Sequence, residues 1–295
     1  MSEAARKSRR TRPHAIDLLA IGHVARDEFL DAEWRLGGTA LYAAVAAARL
    51  GRTAALVTRV GPAERDALER RCREEGIELH ALASPVTTTF AFRYDTARKR
   101  HLTLRARAKV IGRDDVAGRL RAAPRAVVYA SIAHELSPSL FGTLNAQASV
   151  LVAQGYLRGS ESDGSIVPRE WTESAAMLAT VGTAVVSEDD LAGDLRLAER
   201  WSHTTPVVVT LAERGARVYE RGVGRDVPGF AADRVVDQTG AGDAFAAGLA
   251  LALADGRSLA LAARYANAVA SFAVEGLGTE GLGDRQRVEE RLGRG

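Results

Sequence analysis

Residues 235–247 read VVDQTGAGDAFAA, and within them Gly240, Ala241, Gly242 and Asp243 combine residue types that suit work on an anion. Glycines let a backbone come close to a bulky anion. Successive N–H groups at the start of an alanine-rich helix point at that anion, and the helix dipole adds favourable potential. Asp243 is then a like charge beside the anion. A hydroxyl lying between the carboxylate and a phosphoryl group resolves the conflict, because the carboxylate accepts the hydroxyl proton as the oxygen–phosphorus bond forms. The same spacing suits a plain helix cap equally well. Spacing alone leaves base and cap both open.

Such a turn needs a scaffold that ends strands at helix N-termini. AIDLLAIG, from residue 15, is a short apolar run stopped by Gly22, as expected of a strand buried on both faces of a parallel sheet. Gly37 and Gly38 then open a helix of small residues that Gly51 closes, and TAALVTRVG follows as the next strand. The alternation resumes through AVVYASI, ASVLVAQG, TAVVSEDD, PVVVTLAERG and ARVYERG. The pattern predicts an α/β fold, a doubly wound three-layer sandwich with a mostly parallel sheet. Residues 86–108 instead alternate as a β-hairpin around DTARK, predicting a small lid or an antiparallel edge. Phe90, Phe92 and Tyr94 share one face of it, where edge-strand packing is favoured over contact with a ligand.

With 295 residues and 46% hydrophobic content, the chain can fill a full core. No linker interrupts it, so residues 15–295 are expected to form one domain, with small β elements around 29–36 and 86–108. Formal charge is +3, of which residues 1–14 carry +4, leaving the rest at −1. That predicts a disordered basic tail and argues against a nucleic-acid surface on the folded part. No apolar stretch is long enough to span a membrane and no secretory segment opens the chain, so a cytoplasmic location is expected. Cys72 is the single cysteine, which excludes an internal disulfide and a cysteine-based zinc site.

Rival chemistries fail on the string itself. A dinucleotide fingerprint needs Gly or Ala where Phe245 stands, and no Gly-Lys pair exists to make a P-loop. No Gly-x-Ser-x-Gly elbow, His-Glu-x-x-His helix or protein-kinase catalytic loop occurs. His134, followed by Glu135, reads as a lone surface histidine.

DQTGAGDAFAAGLALALA resembles the C-terminal signature of the ribokinase-like (PfkB) carbohydrate kinases. AIGHVARDEF, LGGTALYAAVAAARLG, VVVTLAERGARVY and YANAVASFAVEGLG resemble further stretches of that family in the same order. The resemblance implies an ATP- and Mg²⁺-dependent kinase that phosphorylates a hydroxyl of a sugar, an inositol-like polyol or a nucleoside. It implies Asp243 as general base, with Gly240, Ala241 and Gly242 as the anion hole. Thr210, Glu213, Gly215, Asn267 and Ser187 are implied as nucleotide contacts. Asp27, Gly37 and Gly38 are implied as substrate contacts, with Thr39 and Tyr42 standing where relatives carry an asparagine. Relatives that pair through the hairpin make a homodimer compatible with the chain, and no nucleic-acid or membrane partner is implied.

The departures bear on substrate and donor. SEDD, residues 187–190, replaces the family's Asn-x-x-Glu, so Asp190 is expected to organise a metal ion through water. Ala212 replaces a glycine, which is tolerable where φ stays negative. LVAQGYLR, residues 151–158, resembles an inositol- or nucleoside-kinase-like branch and adds Gln154 as a site candidate, whereas Arg158 is expected on the solvated surface. The altered strings also motivate an alternative, a non-catalytic ligand-binding or regulatory protein that keeps the kinase fold.

Overall fold

The computed structural model describes residues 16–29, 32–94, 100–120 and 122–294. The expected basic tail, residues 1–14, and the DTARK turn, residues 95–99, lie outside the described residues.

The apolar runs become the centre of a nine-stranded sheet. Its strand order is Val223–Pro228, Gly215–Glu220, Val207–Thr210, Thr183–Ser187, Ala148–Val152, Ala126–Ala130, Leu18–Ile21, Ala54–Val60 and Glu78–Ala83. The strands from Val207–Thr210 to Glu78–Ala83 run parallel, and the remaining two turn back antiparallel at one edge. Continuous hydrophobicity follows from burial on both faces. Leu18 and Ala20 enter a core formed with the helices Thr39–Arg49, Ala241–Ala254 and Leu259–Ala273. Leu19 and Ile21 enter a second core on the opposite face, with Tyr129, Tyr156, Trp171 and Trp201. The result is the expected three-layer sandwich. The helix Ala241–Ala254 is apolar nearly all round because it packs between the sheet and Leu259–Ala273.

The hairpin expected at 86–108 pairs Thr88–Tyr94 with Arg100–Ala106. It belongs to a larger element than expected, a second sheet of four strands in the order Ala32–Gly37, Ala25–Phe29, Thr88–Tyr94 and Arg100–Ala106. Ala25–Phe29 runs parallel to Thr88–Tyr94, and Asp27 lies in the middle of it. The side chains of Phe90 and Phe92 are buried against Ala25, Ile132 and Ala133, and Phe92 stacks on Phe29 at 5.1 Å. Both rings therefore serve packing. No description extends to the Tyr94 side chain.

Candidate active site

Two helix N-termini meet beyond the carboxyl ends of the parallel strands. One is the start of Ala241–Ala254, whose N-cap residue is Gly240 at φ 87° and ψ −4°. The other is the start of Thr39–Arg49, whose N-cap residue is Gly38. Gly240 has no side chain to cap with, and Asp243 stands in the first turn of the helix. Its Oδ1 accepts the hydroxyl proton of Thr39 at 2.7 Å. Thr39 Oγ1 in turn accepts from Nε2 of Gln154 at 2.8 Å, just past the strand Ala148–Val152. Thr39 is 1% exposed, and its one hydroxyl proton is committed to Asp243.

The ring of Tyr42 backs the Gly240 turn. A Cβ at Gly240 would lie 2.1 Å from Tyr42 Cε1, so only glycine fits. Burial pushes the Tyr42 phenol well above its ordinary pKa, and the nearby carboxylates of Asp243, Asp27 and Asp237 push the same way, against Arg35. Tyr42 is thus a neutral phenol in a ring of carboxylates. Asp27 is buried with its carboxylate laid on Gly37, where a Cβ would sit 1.9 Å from Asp27 Oδ2. The cross-strand partner of Asp27 is Arg35, a cation at this end of the site that the sequence reading passed over. Asp27, Gly37, Gly38, Thr39, Tyr42, Gln154 and the 240–243 turn are thereby gathered in one place.

The expected nucleotide residues gather at the neighbouring strand ends. Glu188 N–H donates to the carbonyl of Thr210 at 3.0 Å, and the Glu188 carboxylate pairs with Arg214, so the SEDD turn is clamped to the turn after Val207–Thr210. Glu213 is exposed in that second turn. Gly215 lies against the backbone of Val227 and Gly229. Asn267 donates from Nδ2 to the carbonyls of Val227 and Pro228 at 3.1 and 3.0 Å and is buried. Gly215 and Asn267 thus hold the edge strand Val223–Pro228 in place. Ala212 has φ 53°, so the expectation of a negative φ fails: this position adopts the left-handed backbone that favours glycine. Ala212→Gly is expected to stabilise the protein by about 0.5–1 kcal/mol, seen as a higher urea midpoint with an unchanged slope.

Asp190 does not fit a metal-organising role. Its Oδ1 accepts from Arg158 Nε and Nη2 at 2.9 and 2.7 Å, and its Oδ2 accepts from the Ser187 hydroxyl at 2.5 Å. A divalent cation needs uncommitted oxygens, and here guanidinium groups hold both Asp190 and Glu188. Among the described residues no three His, Cys, Asp or Glu side chains cluster so as to hold a metal ion. Arg158 is likewise no free surface residue, since its side chain is only 26% exposed and anchored on Asp190.

A buried network behind the site carries no sequence motif. Glu135 is fully buried and accepts from the backbone N–H groups of His23, Ile132 and Ala133 and from the Ser131 hydroxyl. His23 Nε2 donates to the Lys109 carbonyl at 2.9 Å, which leaves Nδ1 to accept from Thr88 Oγ1 at 2.7 Å. Burial lowers the His23 pKa, so the ring is neutral, and it ties the first strand to the second sheet just ahead of Asp27. His134 is no lone surface residue either. It is half-buried, edge-on to Tyr156 at 4.9 Å.

Residues 146–283 match the pfkB family carbohydrate kinase family. The inositol 3-kinase of Arabidopsis thaliana is 41% identical over 80 residues, covering 27% of this chain and 22% of that protein. The ribokinase of Bacillus subtilis is 45% identical over 67 residues, 22% of each chain. The matched stretches thus span about a fifth of the length of these curated relatives. Among solved structures, a pyrophosphate-dependent kinase in the ribokinase family, complexed with a pyrophosphate analog and myo-inositol, superposes with a TM-score of 0.78. It is 22% identical, covering 92% of this chain and 99% of that one. The Methanocaldococcus jannaschii nucleoside kinase superposes at 0.72 with 17% identity, covering 96% and 100%. The fold is that of the ribokinase-family structures, and residues 146–283 carry the match to the PfkB family of carbohydrate kinases.

Proposed function

We propose that the chain is a kinase that moves the γ-phosphoryl group of ATP to a hydroxyl of a sugar, an inositol-like polyol or a nucleoside. The observation that carries this reading is the Asp243 carboxylate, held by Thr39 in the first turn of the helix that Gly240 opens. A Cβ at Gly242 would meet nothing within 4 Å, so the backbone there faces open space of the kind a phosphoryl group needs. The amides of residues 240–243 stabilise the transferring oxygens. Asp243 takes the acceptor hydroxyl's proton, the acceptor oxygen bonds to phosphorus, and the bridging P–O bond breaks to leave ADP. Asp27, beside Gly37, Arg35 and Tyr42, is assigned to orient the acceptor. Any Mg²⁺ belongs with the donor phosphates on this reading, since the carboxylates of Glu188 and Asp190 are already paired.

A second donor is favoured by one observation. Asn267 commits its amide hydrogens to the carbonyls of Val227 and Pro228. Inorganic pyrophosphate asks for no purine contact. Incubating the chain with ATP or with pyrophosphate across sugars, inositols and nucleosides, and following phosphate transfer, decides between the donors. Transfer from ATP to at least one acceptor is the expected result. Transfer from pyrophosphate alone would replace the donor assignment, and binding without transfer from either would favour a non-catalytic binding protein.

A further inference from the structure

The Thr39 hydroxyl stands between two partners of unequal chemistry. An ionised Asp243 carboxylate can only accept, so the Thr39 proton must point at it across 2.7 Å. Thr39 Oγ1 is then left as an acceptor toward Gln154 at 2.8 Å, so Gln154 must present its NH₂ and not its carbonyl. The hydrogen bonds therefore run in one direction, from Gln154 through Thr39 to Asp243. The three residues come from three elements: the segment after Ala148–Val152, the first residue of Thr39–Arg49 and the first turn of Ala241–Ala254. Burial of Thr39 keeps water from substituting for it.

We propose that Thr39 is a positioning residue that holds the Asp243 carboxylate toward the acceptor hydroxyl, and that Gln154 fixes the direction of the Thr39 hydrogen bond. This rests on the reading of Asp243 as general base. Gln154 thereby matters by polarity: an acceptor at position 154 draws the Thr39 proton away from Asp243. Shape alone is not enough.

Four variants test this, assayed at about pH 8, where a carboxylate at 154 is ionised, with thermal unfolding as the check on folding. Thr39→Val keeps the shape and deletes the donor, and is expected to lower kcat about 10- to 100-fold with the acceptor KM within about threefold. Thr39→Ser keeps the donor and is expected to stay within about threefold of the parent. Gln154→Leu releases the Thr39 hydroxyl and lowers kcat about 3- to 10-fold, whereas Gln154→Glu, nearer to Gln in shape, lowers it about 30- to 100-fold. A packing role predicts the opposite order in both pairs, with Val milder than Ser and Glu milder than Leu. Parental turnover in Thr39→Val, or Glu no worse than Leu, overturns the proposal alone. Absence of phosphate transfer by the parent chain from every donor overturns the kinase reading and the proposal with it.

Discussion

Asp243→Asn is expected to lower kcat by about 10² to 10⁴ while leaving donor affinity unchanged or tighter. The substitution is nearly isosteric, and the amide carbonyl can still accept from Thr39, which fixes its orientation. Its NH₂ then faces the acceptor side, where it can donate but cannot take a proton. What disappears is basicity, at the step where the acceptor oxygen must shed its proton. Donor binding moves the other way, because removing a negative charge beside the phosphates removes a repulsion. Turnover with the best acceptor of the panel, together with donor titration by calorimetry, reads both effects. A kcat within about threefold of the parent would remove Asp243 from the role of base. Joint loss of turnover and donor binding would make it a structural residue of the turn instead.

How much of this was legible in the sequence depended on whether the causes were local. Leu18–Ile21 declares a strand because both its faces are covered, and Gly240 declares a helix start because it stands before an alanine-rich run. The strand that carries Asp27 was hard to read because Arg26 and Glu28 interrupt its apolar pattern. In the folded chain these two pair with each other, outside the packed face that carries Ala25 and Phe29. The role of Thr39 was hidden because its partners lie 204 and 115 residues away. Arg158 and Asp190 are separated by 32 residues, and nothing about either type announces that one neutralises the other. The sign of φ at Ala212 is set by the turn closing onto Gly215, which residue type alone does not report.

Gly240→Ala should be the most damaging change to the anion turn that leaves every charge in place, with kcat/KM down by about 10² or more and a lowered melting temperature. Two costs combine. The left-handed backbone at φ 87° disfavours any Cβ, by about 1–2 kcal/mol. The added carbon would also sit 2.1, 2.2 and 2.9 Å from Cε1, Cδ1 and Cζ of Tyr42, far inside contact distance. Tyr42 is 2% exposed and has no room to swing away. The turn must therefore yield, and the N–H groups of residues 240–243 leave the positions from which they would face a phosphoryl group. The Tyr42 partner makes the cause testable. Tyr42→Phe keeps the clashing ring carbons and should not rescue Gly240→Ala. Tyr42→Ala removes them, so the double variant should lose about tenfold less, relative to Tyr42→Ala, than Gly240→Ala loses relative to the parent. The backbone cost persists in the double variant, so rescue should be incomplete. Independent, additive losses in that cycle would mean that the turn fails through its backbone conformation alone and that the Tyr42 ring has no part in shaping the anion hole.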